Sequence, residues 1–241
     1  VVTKPALRPT IGPYERVTNA YQKRLLSIYD RWAKGMARQL AAQVIRGESR
    51  QALRQAVHLE MAALRAEMLE AGRRGITAAA SVAVGRERAR TPVVQSAVAR
   101  QVALNANLIT TSLLLDIEDG TTEALTITQQ PLTQQAIVGH LAPFRGRVAG
   151  YGGGAWVAIF EVQREVALED RDDRRVRWVL HPDADHCTGD DLTFGCVDLE
   201  GIYDNWAMLP TVPAGRTQCR GNCRCSLEVE ASPGEWQRGL E

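Results

Sequence analysis

Aromatic residues make up only 5% of the 241-residue chain, so Ala, Val and Leu must fill most of its interior. Lysine is rarer still: Lys4, Lys23 and Lys34 are the only three among 29 basic residues. Net charge is +1, which gives no overall pull towards nucleic acid or a membrane surface. The longest uncharged runs, around 101–115 and 126–144, are interrupted by Asn, Gln, Thr and Pro, which excludes a membrane-spanning reading. No secretory signal is recognisable, and the expectation is a reducing compartment in which thiols stay free.

Catalytic templates are missing as well. There is no His-Glu-x-x-His and no Pro-Cys-x-x-Cys, so metalloprotease and zinc-deaminase chemistry lack their ligand sets. Asp185-His186 beside Cys187 is similar to the opening of an HNH-type nuclease site, but His186 is the last histidine and the second one is wanting. A Cys–His pair of Cys187 with His140 or His58 rests on composition alone. The Gly150-Tyr-Gly-Gly-Gly154 run lacks the Lys-Ser/Thr of a phosphate loop and reads as a hinge. The expectation is a protein that is not an enzyme.

Helical periodicity is plentiful. Residues 1–13, with three prolines, read as an extended arm. From Tyr14 the positions Tyr21, Leu25, Tyr29, Trp32, Met36, Leu40 and Val44 follow at steps of three or four and predict a helix over 14–46. A second stripe of Leu53, Val57, Met61, Leu64 and Met68 predicts its antiparallel partner over 50–71. Gly75–Gly85 reads as a separate, small-residue helix. Thr91-Pro92 opens a third long helix over 91–116 that carries Val94, Val98, Val102 and Leu108 and ends near Asp119-Gly120. Leu125–Thr128 reads as a short strand, Thr133 as the cap of a helix to His140, and 155–169 as a helix burying Val157, Phe160 and Val166. Two arginine clusters, Arg86/Arg88/Arg90 and Arg171/Arg174/Arg175, are the candidate DNA contacts, with a solvated face as their plainer reading.

All five cysteines come late, as Cys187-x8-Cys196 and Cys219-x3-Cys223-x-Cys225. They lie between two alternating segments. Val176, Trp178 and Leu180 share one face of the first, and Cys223, Cys225, Leu227 and Val229 one face of the second. These segments predict a small sheet with thiols on its apolar side. Four thiolates gathered this way suit a tetrahedral Zn²⁺, which can stand in for the core that so short a segment lacks. Disulfides or buried free thiols are the alternatives, and the odd number of cysteines argues against a full disulfide set. The expected ligands are four of Cys187, Cys196, Cys219, Cys223 and Cys225. The favoured set takes Cys187, Cys196 and Cys219 with one of Cys223 and Cys225, and His186 is held in reserve.

The order Trp178, Asp185-His-Cys187, Cys196, Gly201-Ile-Tyr203, Pro210 to Pro213 and Asn222-Cys-Arg-Cys225 resembles the C-terminal region of phage head morphogenesis proteins, the minor head proteins similar to protein F of phage Mu. The family's tight Cys-x-x-Cys is here an eight-residue spacing, and Cys219 stands where the family tends to have His. The resemblance implies a structural minor capsid protein of a virion. It would associate with the portal protein and other capsid components in multiple copies, assemble in the host cytoplasm, and have a part in genome packaging or ejection that includes contact with DNA. A zinc-containing nucleic-acid-binding module, or a nuclease-like enzyme, is the alternative. The expected fold is mainly α, with an arm at 1–13, an elongated helical body at 14–170 and a small β-containing, zinc-stapled domain at 171–241.

Overall fold

The computed structural model describes the chain at residues 12–127, 133–182, 187–190, 193–213, 217–218, 223 and 225–237. It is mainly α, with a small antiparallel sheet near the C-terminal end. Residues 1–11 of the expected arm lie outside the described residues, and Pro13 belongs to the first helix, at a position where its missing N–H costs nothing.

Helix α1 spans Pro13–Ile45 and α2 spans Arg50–Val84, each roughly 50 Å long at the usual rise. The aromatic stripe of α1 from Tyr21 to Leu40 is buried as its spacing requires. Between the two helices the chain reverses in a Schellman turn. Gly47 takes φ +70°, its N–H donates to the Val44 carbonyl at 3.0 Å, and the Glu48 N–H donates to Gln43 at 3.1 Å. Ser49 then caps α2 by accepting from the Ala52 N–H at 3.2 Å.

Helix α2 does not stop at Gly72 but runs on through the Ala-rich stretch, so the two helices expected there are one. Both glycines are places of close approach. A Cβ on Gly75 would lie 2.5 Å from Cδ2 of Tyr21, and one on Gly72 would lie 2.8 Å from Oδ1 of Asn105. Tyr21 donates to that same Asn105 oxygen at 2.9 Å, in the interior.

A 3₁₀ turn at Arg88–Arg90 leads to α3, Pro92–Leu108. Thr91 has the extended backbone of a cap, but its hydroxyl is buried without a partner. The helical path continues through a π-helical turn, Ile109–Leu114, into α4, Leu115–Ile127. Two expectations fail here. Leu108 is 52% exposed, whereas polar Asn105 occupies the core position because the Tyr21 hydroxyl satisfies its amide. The chain also passes Gly120 without ending and holds 125–127 as helix rather than strand; the missing Cβ at Gly120 makes room for the Phe144 ring. Thr128 lies outside the described residues.

Helix α5, Gln134–Leu141, is capped by Thr133 as expected. Helix α6, Phe144–Gly150, was not foreseen; a two-residue turn joins it to α7, Gly153–Glu169. The chain does turn at the glycine run, but not as a loose hinge. Gly152 and Gly153 are buried, and a Cβ on Gly154 would strike the Asn105 amide. Helix α7 packs against α1, α2 and α3 and buries Trp156, Ile159, Phe160, Val162 and Val166.

The sheet has the order β2-β1-β3-β4, with β1 at Val176–Val179, β2 at Gly201–Tyr203, β3 at Ser226–Ser232 and β4 at Glu235–Gln237. The expected pairing of the two alternating segments is present: Trp178 sits opposite Leu227 and Val176 opposite Val229, all four buried. On the outer face Arg177 is opposite Glu228, ion-paired to it, and lies 4.8 Å from the Trp236 ring. The hydrophobic core is continuous from the helices into this sheet. The Trp156 indole N–H donates to the Cys225 carbonyl at 3.1 Å, and Arg164 donates to the Leu209 carbonyl at 3.0 Å. The C-terminal region is therefore docked on α7 rather than set apart from the body.

Candidate metal centre

Eight residues separate Cys187 from Cys196, yet their sulfurs lie 3.5 Å from each other. The intervening loop is pinched by its own polar groups. The Asp190 N–H donates to the Thr193 carbonyl at 3.0 Å, and the Thr193 N–H and hydroxyl both return to the Asp190 carboxylate at 2.7 and 2.8 Å. At its neck Gly189 and Gly195 stand back to back, so closely that a Cβ on either would strike the backbone N of the other. The Gly189 N–H also donates to Asp198, on the short helix α8, Cys196–Leu199. A long spacing in sequence thus becomes a short one in space. The second cysteine segment is anchored to this loop by a bridge between Phe194 and Thr217 and by the Gln218 N–H donating to the Phe194 carbonyl at 3.0 Å.

Cys223 and Cys225 precede β3 and are buried, as is Cys196. The three sulfurs lie within 4.8 Å of one another, with Cys196 and Cys223 at 3.8 Å. A tetrahedral metal with sulfur bonds of about 2.3 Å holds its ligands about 3.8 Å apart, so these distances fit a shared ion. They are far longer than the roughly 2.05 Å of a disulfide, and none of the four described cysteines is disulfide-bonded. Both Cys223 and Cys225 belong to the close group, where only one was expected. Half-buried Cys187 meets the group at Cys196, whose N–H its sulfur accepts at 3.4 Å. Cys219 and His186 lie outside the described residues.

The surroundings favour thiolate. The Cys225 thiol is held well below its ordinary value, first by the hydrogen bond from Cys223, against burial, and then by Cys196, the His181 backbone N–H and the Trp178 indole. The Trp178 indole N–H is buried and forms no well-aligned hydrogen bond, so its effect on the sulfur is that of a nearby dipole. Sequence reasoning missed these two groups, although Trp178 already sat on the thiol-bearing face. Three buried sulfurs with N–H donors turned towards them form a group able to hold a metal ion.

The other candidates are occupied elsewhere. His58 is exposed and pairs with Glu118 at 3.0 Å, and His140 bonds the Gly120 carbonyl. Among the expected DNA-contact arginines, Arg88 pairs with Asp170, Arg174 with Asp172 at 2.7 Å and Arg175 with Glu230 at 2.5 Å. Three of those six arginines are therefore neutralised by their own neighbours. No helix among the described residues is long and apolar enough to cross a membrane. Comparisons with protein-family models, with curated proteins and with solved structures return no match.

Proposed function

We propose that this chain is a structural minor head protein of a tailed phage, binding the portal protein near its vertex and acting in head assembly and in DNA packaging or ejection. On this reading the long helices form a bracket, and a Zn²⁺ held by cysteine thiolates fixes the C-terminal sheet on it. The observation that carries the reading is a coincidence. The residues that resemble the head-protein family in order, from Trp178 through Cys196 to Cys223 and Cys225, are the ones whose side chains meet in one buried group. The described groups around the sulfurs are N–H donors and apolar side chains, which suits a closed structural ion rather than one with an open catalytic position. Zinc is favoured over other ions because a sulfur-rich tetrahedral set matches its coordination, and iron is the competitor with the same preference.

The test is co-expression with the portal protein of the same phage, followed by size-exclusion chromatography and elemental analysis of the complex. Co-elution with about one zinc per chain is expected for a single structural site. Failure to associate would overturn the head-protein reading, and iron or no metal in the purified chain would overturn the zinc assignment.

A further inference from the structure

Acid partners take up Arg88, Arg174 and Arg175, but not three basic residues on one face of α1. Lys23, Lys34 and Arg38 are all exposed there, and no carboxylate among the described residues is within ion-pair distance of any of them. At 3.6 residues per turn, Lys34 and Arg38 lie about 20° and 60° around the axis from Lys23, so the three form one row roughly 22 Å long. Asp30, which lies on the same face between Lys23 and Lys34, is held by Arg145 of α6 at 2.9 Å, and Arg31 at the groove's side is taken up by Glu67 of α2. The row floors an open groove of about 550 Å³ to which Arg145 also contributes. In a chain whose net charge is only +1, these three form a locally basic strip.

We propose that this face of α1 binds the phosphate backbone of duplex DNA, without reading sequence. The spacing suits a duplex, whose phosphates recur every 3.4 Å or so along each strand, so the row faces about six of them. Two observations separate this from single-strand binding and from base recognition. Stacking needs exposed rings, but Tyr29 and Trp32 of α1 turn inwards, at 2% and 8% exposure. The row is also a helix side lying flat, bearing lysines and an arginine that contact phosphate as charges rather than a tip that enters a groove. The proposal deepens the head-protein reading by saying where DNA would lie, and it rests on that reading only for the DNA's source.

Fluorescence anisotropy of the full chain with a random-sequence duplex of about 30 base pairs tests it, with no portal present. Three phosphate contacts predict a log–log salt slope of about −2.7, hence a loss of affinity of roughly 40-fold between about 50 and 200 mM salt. The Lys23→Ala, Lys34→Ala, Arg38→Ala triple variant should bind at least about tenfold more weakly at the low salt and lose most of that slope. Its helix should persist, since Ala is the best helix former, and circular dichroism checks this. The control, Arg88→Ala with Arg175→Ala, removes cations that are already paired and should leave binding unchanged. Equal binding by the triple variant, an absent slope, or tighter binding of a single strand of the same length would each overturn the proposal. So would full competition by inorganic phosphate at constant ionic strength, which would make the groove a small-anion site. Because the portal takes no part, failure here leaves the portal experiment standing, and the reverse holds too.

Discussion

Replacing Gly75 by Ala tests the packing of the helical body, because helix propensity and packing give opposite signs. Gly75 lies inside α2, where Ala is favoured over Gly by about 1 kcal/mol. On propensity alone, Gly75→Ala would stabilise. The new methyl would instead stand 2.5 Å from Cδ2, 2.6 Å from Cγ and 3.1 Å from Cβ of Tyr21. These atoms are the root of the ring, and a rotation about its end cannot clear them. Tyr21 is 3% exposed, and its hydroxyl is tied to Asn105 at 2.9 Å. Overpacking of this kind costs about 1–3 kcal/mol, and a lost Tyr21–Asn105 bond adds about 1 kcal/mol. Set against the propensity gain, Gly75→Ala should destabilise by roughly 1–3 kcal/mol, lowering Tm by some 2–12 °C for a chain of this size. The internal control is Gly35→Ala. It is also mid-helix, in α1, but its added Cβ meets nothing within 4 Å, so it should stabilise by about 1 kcal/mol. Thermal and urea unfolding of both variants measure the difference. A rise in stability for Gly75→Ala, or equal shifts in the two variants, would refute the claim that α1 and α2 meet at this glycine.

Arg171 ends α7 in the left-handed region, at φ 55°, with its N–H on Leu168 and the Asp172 N–H on Ala167 as in a Schellman turn; Arg171→Gly should stabilise by about 0.5–1 kcal/mol in urea melts. Burial raises the Glu161 carboxyl above its ordinary value, so the stabilising contribution of its neutral form is present at low pH and is lost as pH rises through that raised value. Glu161→Gln should accordingly raise Tm more at pH 7 than at about pH 4, and the opposite order would contradict the sign. Cys196→Ser removes the sulfur that touches both Cys187 and Cys223; if four ligands share the roughly 10–16 kcal/mol of a structural zinc site, metal affinity should fall about 100-fold or more in a competitive chelator titration. Metal removal should also change the near-ultraviolet signal of Trp156, which is bonded to the Cys225 carbonyl, and not only that of Trp178.

What could be read from the sequence followed from side-chain periodicity. The α1 stripe, the α1–α2 hairpin, and the β1–β3 pairing through Trp178 and Leu227 all follow from apolar positions recurring at 3.6 or at 2. The misreadings share a physical cause. Glycine carries two meanings, a break in the helix or room for a neighbour, and sequence does not distinguish them. Gly47 is the first kind, with its positive φ. Gly72, Gly75, Gly120 and Gly154 are the second, and each was expected to end, bend or loosen the chain at a point where Tyr21, Asn105 or Phe144 fills the space. Asn105 was passed over for a related reason. A polar residue joins an apolar stripe only when a partner satisfies it, and that partner, Tyr21, is 84 residues away.

The metal centre divides along the same line. That the cysteines gather was legible from their number and flanking strands, but how they gather depended on a loop whose closure needs Gly189 and Gly195 in contact and Asp190 bonding back to Thr193. The expectation that a metal stands in for the missing core of the C-terminal region rested on its small size alone. Its core is in fact borrowed. Trp206, Leu209 and Val212 are buried in a cluster continuous with α7, and Trp156 and Arg164 of that helix satisfy carbonyls of the cysteine-bearing region. A metal at Cys196, Cys223 and Cys225 would therefore do more than hold a satellite together. By fixing the Cys225 carbonyl beneath the Trp156 indole, it would couple the thiol cluster to the helix that packs against α1, α2 and α3. Loss of the ion would then be transmitted into the helical body through α7 rather than ending at residue 171.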